Sequence, residues 1–209
     1  MKKILATITT TIVVTMLFSM NVFAASPAAI QYATPRMANA SDTVATPASA
    51  AAKAKAQQVV STIITPGMTD LQKITAVHDY IVLNTTYANG PSAHLADGPI
   101  LYGTGVCDGY TAAFKCYMDL LGIPCQILVS DAMDHSWNQV EVGGVPYEVD
   151  VTYDDYTVVC DGVASENGLS HEDFMLSSAQ MINQHIIDNF GTLDVNMVIN
   201  PDGSWSATW

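Results

Sequence analysis

Apolar positions along this chain change period several times, and each change predicts an element. In "TDLQKITAVHDYIVLNTTYA", Leu71, Ile74, Val77, His78 and Ile81 recur along one helical stripe, and Thr69 and Gln72 stand at capping-box spacing before it. A second helix is predicted to start at Cys107, with Tyr110, Phe114, Tyr117 and Leu121 on one face, and to stop at Gly122 with Pro124 just beyond. The period then shortens to two. "CQILVS" from Cys125 reads as a short strand, and "HSWNQVEVGGVPYEVDVTYDD" from His135 reads as two alternating runs joined at Gly143 and Gly144. A two-residue turn there sets Trp137 opposite Asp150 and His135 opposite Thr152, so that His135 and Asp150 become diagonal neighbours on one polar face. Val140, Val142, Val145, Tyr147, Val149 and Val151 gather on the other face as a core-like set. Further on, the pattern predicts a strand around Phe174, a helix from Ser178 to about Phe190, and a hairpin turned at "NPDG".

The N-terminal end follows other rules. Lys2 and Lys3 precede an apolar run from Ile4 to Met20, and Val22 and Ala24 supply small residues for cleavage, so residues 1–24 read as a secretory signal peptide. Residues 25–50 are rich in Ala, Ser, Thr and Pro and are expected to form a flexible linker. A weak helix is expected from near Ala50, with Val59, Val60, Ile63 and Ile64 on one face before Pro66. Residues 51–209 are then one domain's worth of chain. The formal net charge is −13, and loss of Lys2 and Lys3 takes it to about −15. Such a field repels phosphate backbones and anionic lipid surfaces, so neither nucleic acid nor, after signal cleavage, a membrane is expected as a partner.

Candidate chemistry centres on Cys107. It stands in the first turn of its helix, where unpaired backbone N–H groups and the helix dipole favour the thiolate, the reactive form of a thiol. Cys116, half a turn away on the same helix, is not expected to bridge to it. Export permits one pair among Cys116, Cys125 and Cys160, with Cys116–Cys125 and Cys125–Cys160 both open. A cysteine nucleophile needs an imidazole to take its proton and a carboxylate to orient that imidazole, and Cys107, His135 and Asp150 meet this requirement. No CxxC or HxxxH spacing points to a metal, and no cofactor is expected. Asp154 and Asp155, with Asp161, read as a solvated acidic loop rather than a calcium site. His78, His171 and His185 read as structural or surface residues.

The blocks "GTGVCDGYTAAFKCYMDLLGIPCQILVS" and "DHSWNQVEVGGVPYEVDVTYDD", with "HDYIVLNTTYA" before and "HEDFMLSSAQMINQH" after them, resemble the transglutaminase-like superfamily over roughly residues 60 to 190. The resemblance implies an α+β, papain-like cysteine proteinase fold in which a central helix, started by the cysteine, packs on an antiparallel sheet. It implies Cys107 as nucleophile, His135 as base and Asp150 as orienter, in an enzyme that attacks amide bonds of proteins or peptides through a thioester. Water as acceptor would make it a protease or deamidase, and an amine would make it a transglutaminase. Trp137 and Tyr110 are expected to contact the substrate, which could be associated with a cell wall. Ser136 and Tyr153 depart from residues common in the family. A non-catalytic peptide- or wall-binding module on the same fold is the alternative.

Overall fold

The structure is a computed structural model that describes residues 25–155, 168–193, 195–199 and 204–208. The expected signal peptide, Cys160, Asp161 and the "NPDG" turn lie outside the described residues.

Two helices form where cap and stripe coincide. After α1 (Pro27–Ala33), the edge strand β1 (Arg36–Met37) and a 3-10 turn at Thr43–Ala45, helix α2 (Ala50–Ile63) begins behind Ser49, whose hydroxyl accepts the Ala52 N–H. Helix α3 (Asp70–Asn84) carries the expected capping box in both directions and buries Ile74, Val77, His78, Ile81 and Val82. Two short strands, β2 (Thr86–Tyr87) and β3 (Thr104–Gly105), pair in parallel and enclose a π-helical turn at Gly98–Tyr102. The central helix α4 (Cys107–Leu121) ends at Gly122 in a left-handed conformation, φ 68°. Its first turn lies so close to the preceding loop that a Cβ on Gly109 would meet the Ala93 carbonyl oxygen at 2.2 Å. Glycine is therefore required in "GVCDGY" for steric reasons.

The sheet follows. Among the described residues it has five antiparallel strands in the order β1, β4 (Cys125–Ser130), β5 (His135–Val142), β6 (Val145–Val149), β7 (Phe174–Leu176). The β5–β6 register is the one a Gly143–Gly144 turn dictates, with Asn138 opposite Val149 and Val142 opposite Val145. Helix α4 packs on one face, where the Thr111 hydroxyl donates to the Ser136 carbonyl at 2.8 Å. Tyr110, Phe114, Tyr117, Met118, Val140 and Val149 form the centre of the core. Truncating Phe114, which is fully buried, to alanine would cost about 3–5 kcal/mol.

The structure corrects two expectations. The supposedly polar face of the hairpin is covered by α5 (Ser178–Phe190), so Trp137, Glu148 and Asp150 are buried, at 1%, 1% and 0% exposure. Period-two alternation distinguishes the two faces of a strand but does not say whether a distant helix will cover the polar one. Residues 25–50 are also ordered. Ala29 and Ala33 allow α1 to approach α5 closely, Tyr32 packs on Phe190 with ring centroids 5.3 Å apart, and Arg36 forks to Asp42 and Asp131 at 2.8 and 2.6 Å. Small residues look unable to build a core alone, yet they dock well on one already built. A final antiparallel pair, β8 (Asn196–Ile199) and β9 (Trp205–Thr208), lies against α1. Among the described residues no helix is long and apolar enough to cross a membrane.

Candidate active site

Cys107 and His135 both line a cleft of about 350 Å³ whose walls also include Tyr87, His94, Asp108 and Asp134. Three elements converge here: the start of α4 supplies the sulfur, the start of β5 supplies the imidazole, and the residue just after β6 supplies Asp150. His135 Nε2 lies 2.5 Å from Asp150 Oδ2. Cys107 lines the same cleft beside His135 and helps to raise its pKa, and because Asp150 occupies Nε2, the ring nitrogen left free is Nδ1. The His135 ring is held between Tyr153, stacked at 4.5 Å and 12°, and Trp137 at 5.8 Å and 22°.

Asp150 is itself fixed from several sides. Its Oδ1 accepts the N–H groups of Thr152 and Tyr153 at 3.0 and 3.1 Å, and its Oδ2 also accepts from His185 Nε2 at 3.0 Å. Two imidazoles therefore share one carboxylate oxygen. Burial alone would lower the pKa of His135, but the Asp150 carboxylate and Cys107 raise it to about 10. Burial would raise that of Asp150, but His135 and His185 hold it well below the usual carboxylate range. Burial pushes His185 down despite Asp150, so it is the neutral member and donates its Nε2–H.

Near the sulfur, Tyr87 lines the same cleft as Cys107 and His135, and burial pushes its phenol pKa up. Pairing of β2 with β3, Tyr87 opposite Gly105, brings that ring to the helix start. Asp108 accepts from the Ser136 hydroxyl at 3.0 Å and lies 3.1 Å from His94.

Of the residues expected at the site, His135 and Asp150 are in contact, and Cys107 lines the cleft beside His135. Trp137 and Tyr110 do not reach the cleft, which corrects their assignment to substrate contact. Trp137 donates to Glu148 at 2.8 Å, Tyr110 donates to Asp155 at 2.6 Å, and the two are 1% and 0% exposed. Their polar tips have buried partners, so they are satisfied core aromatics. The acidic pair is likewise not a solvated loop, since Asp154 and Asp155 are both 0% exposed and Asp154 faces His78 at 3.0 Å. Cys107, Cys116 and Cys125 are free thiols, so the Cys116–Cys125 pairing is not formed. Burial pushes the Cys125 thiol up to about 12. Sequence reasoning missed His185 and Tyr87 as site residues. His185 follows Met181 at i+4 on a buried stripe, a signal for a helix face but not for a carboxylate partner.

Residues 57–157 match the family described as the Transglutaminase-like superfamily. A solved structure described as a crystal structure of a TGase is similar over 49% of this chain and 32% of its own, with 14% identity and a TM-score of 0.44. The chain thus spans about a third of that structure's length. Comparison with curated proteins finds no significant relative.

Proposed function

From the match of residues 57–157 to the transglutaminase-like superfamily, we propose that this chain is a secreted thiol enzyme acting on amide bonds of proteins or peptides through a thioester on Cys107. The reading rests on one observation, the 2.5 Å contact between His135 Nε2 and Asp150 Oδ2 at the wall of the cleft that Cys107 lines. An imidazole whose Nε2–H is held by a carboxylate presents Nδ1 to the sulfur in the correct tautomer.

In this mechanism Cys107 Sγ attacks the carboxamide carbon, and the new oxyanion takes the Cys107 N–H. Tyr87, which lines the cleft beside Cys107, can turn its hydroxyl proton to the oxyanion. The C–N bond breaks as His135 Nδ1–H protonates the leaving amine, and a thioester remains. Water or an amine then attacks, His135 takes its proton, and sulfur leaves. The environment suits the donor step, since a proton on His135, raised to about 10, is present at neutral pH.

The test is incubation of wild type and Cys107→Ala with a mixed protein substrate and a primary-amine probe, read by mass spectrometry. Cleavage, deamidation or amine incorporation that the variant lacks supports the proposal and identifies the acceptor. Identical products from both proteins overturn it and leave a binding module on this fold.

A further inference from the structure

About one helix width from the catalytic cysteine's helix, α3 carries a second histidine–carboxylate cluster that the mechanism does not use. His78 Nδ1 lies 3.0 Å from Asp79 Oδ1, and His171 Nε2 lies 2.8 Å from the same oxygen. We propose that His78, Asp79 and His171 form a divalent transition-metal site of the zinc type that ties the segment after β6 to helix α3.

The ligand atoms are of the right kind and converge. Two imidazole nitrogens and one carboxylate oxygen, all within 4.8 Å of one another, are the donor set a borderline cation such as zinc takes, with a further position left for water. Zinc–ligand bonds of about 2.0–2.1 Å at tetrahedral angles need ligand separations of about 3.3–3.5 Å, so the two contacts to Asp79 Oδ1 have to open by about half an ångström while the two imidazole nitrogens, within 4.8 Å of each other, settle at the same separation. The rings already stand correctly. Their centroids are 4.9 Å apart, and two imidazoles on one tetrahedral ion stand about 5 Å apart.

The surroundings complete the argument. His78 Nε2 faces Asp154 Oδ2 at 3.0 Å, both side chains being wholly buried. A carboxylate on the far nitrogen of a metal-bound histidine fixes the tautomer that leaves the other nitrogen's lone pair for the ion. Asp154 is tethered in turn, its Oδ1 accepting the Asp173 N–H at 3.1 Å and its carbonyl the Ser170 N–H at 2.9 Å. Those two bonds deliver His171 to the cluster. Outward, the His171 and Asp79 side chains are 42% and 31% exposed, which opens the site to solvent for entry of the ion and for a water ligand. The region also needs positive charge. Residues 116–209 contain fifteen Asp and Glu and no Lys or Arg, and Asp79, Asp150, Asp154 and Asp155 sit in or beside this layer. Binding replaces both protons directed at Asp79 Oδ1: the one on His78 Nδ1 passes to solvent, and His171 binds as the tautomer that carries its proton on Nδ1.

The test is calorimetric titration of the chelator-stripped protein with zinc chloride, with thermal melting of the same samples. One zinc per chain and a higher Tm are expected. His171→Ala, an exposed position whose loss should leave the metal-free fold and its circular dichroism unchanged, should weaken binding by at least about ten-fold. Cys107→Ala should bind zinc as the wild type does. Substoichiometric binding, wild-type affinity in His171→Ala, or binding lost in Cys107→Ala would each overturn the proposal, the last by placing the ion at the catalytic thiol. The outcome is independent of the amide chemistry, because Cys107 has no part in this site.

Discussion

Two histidine–carboxylate clusters share the loop after β6 and differ in what each ends on. Around Asp150, two imidazoles point at one buried oxygen, and the cluster opens on the cleft that Cys107 lines. Around Asp79, two imidazoles again point at one carboxylate oxygen, but that oxygen is part-exposed and the cluster ends in water. The residue types and even the separations are nearly the same. Burial and the terminal group decide that one arrangement suits proton transfer and the other suits a cation.

The largest effect should come from the sulfur. Cys107→Ala should abolish product formation to background while leaving Tm close to wild type, as melting and the amine-probe assay together would report. Asp150→Asn should lower the rate on the order of 10³–10⁴-fold, because an amide no longer fixes the His135 tautomer. Asp154→Ala makes the sharper contrast. It strips a buried partner from His78 and should cost about 3–5 kcal/mol of stability by denaturant melts, with the pH dependence of Cys107 alkylation in the surviving fold unchanged. If Asp154→Ala moves that profile, the two clusters are one.

His135→Ala should remove iodoacetamide labelling of Cys107 at about pH 6, where thiols without a basic partner react poorly. His185→Phe fills its place without the Nε2–H, and should slow labelling and turnover by about ten-fold, the size expected of a group acting through another. Equal Tm loss with an unmoved pH profile would reduce His185 to packing. The smallest effect is on stability. The folded value of His135, about 10, stands above the ordinary imidazole value of about 6.5. The folded protein therefore keeps a proton that the unfolded chain has released between those limits. That contribution is full below the window and is lost as pH rises through about 10, so Tm should fall across it and fall less in His135→Gln.

Much of this was legible in advance. The Thr69–Gln72 box, the Gly122 stop, the Gly143–Gly144 turn and the bounds of α5 all express local rules, where a few neighbouring residues decide a conformation. The hairpin register that makes His135 and Asp150 neighbours follows from the same rules. The fate of the hairpin's polar face was not legible, because α5 arrives from nearly thirty residues further along the chain, and no local rule records where it docks. The order in residues 25–50 was hidden for a related reason. Composition measures what a segment can bury by itself, whereas α1 is stabilised by a surface that α5 and β8 present.

By itself, the sequence determined the helices α2 to α5 and the strands β4 to β7, how the central hairpin registers, and that a thiol, an imidazole and a carboxylate occupy element starts and ends. Only the tertiary structure decided that Trp137 and Tyr110 turn inward, that His185 shares the oxygen of Asp150, and that His171 returns to meet His78 and Asp79. Local conformation depends on neighbours along the chain, but a shared oxygen depends on segments the backbone brings together from far apart, and that meeting is set by how whole faces pack.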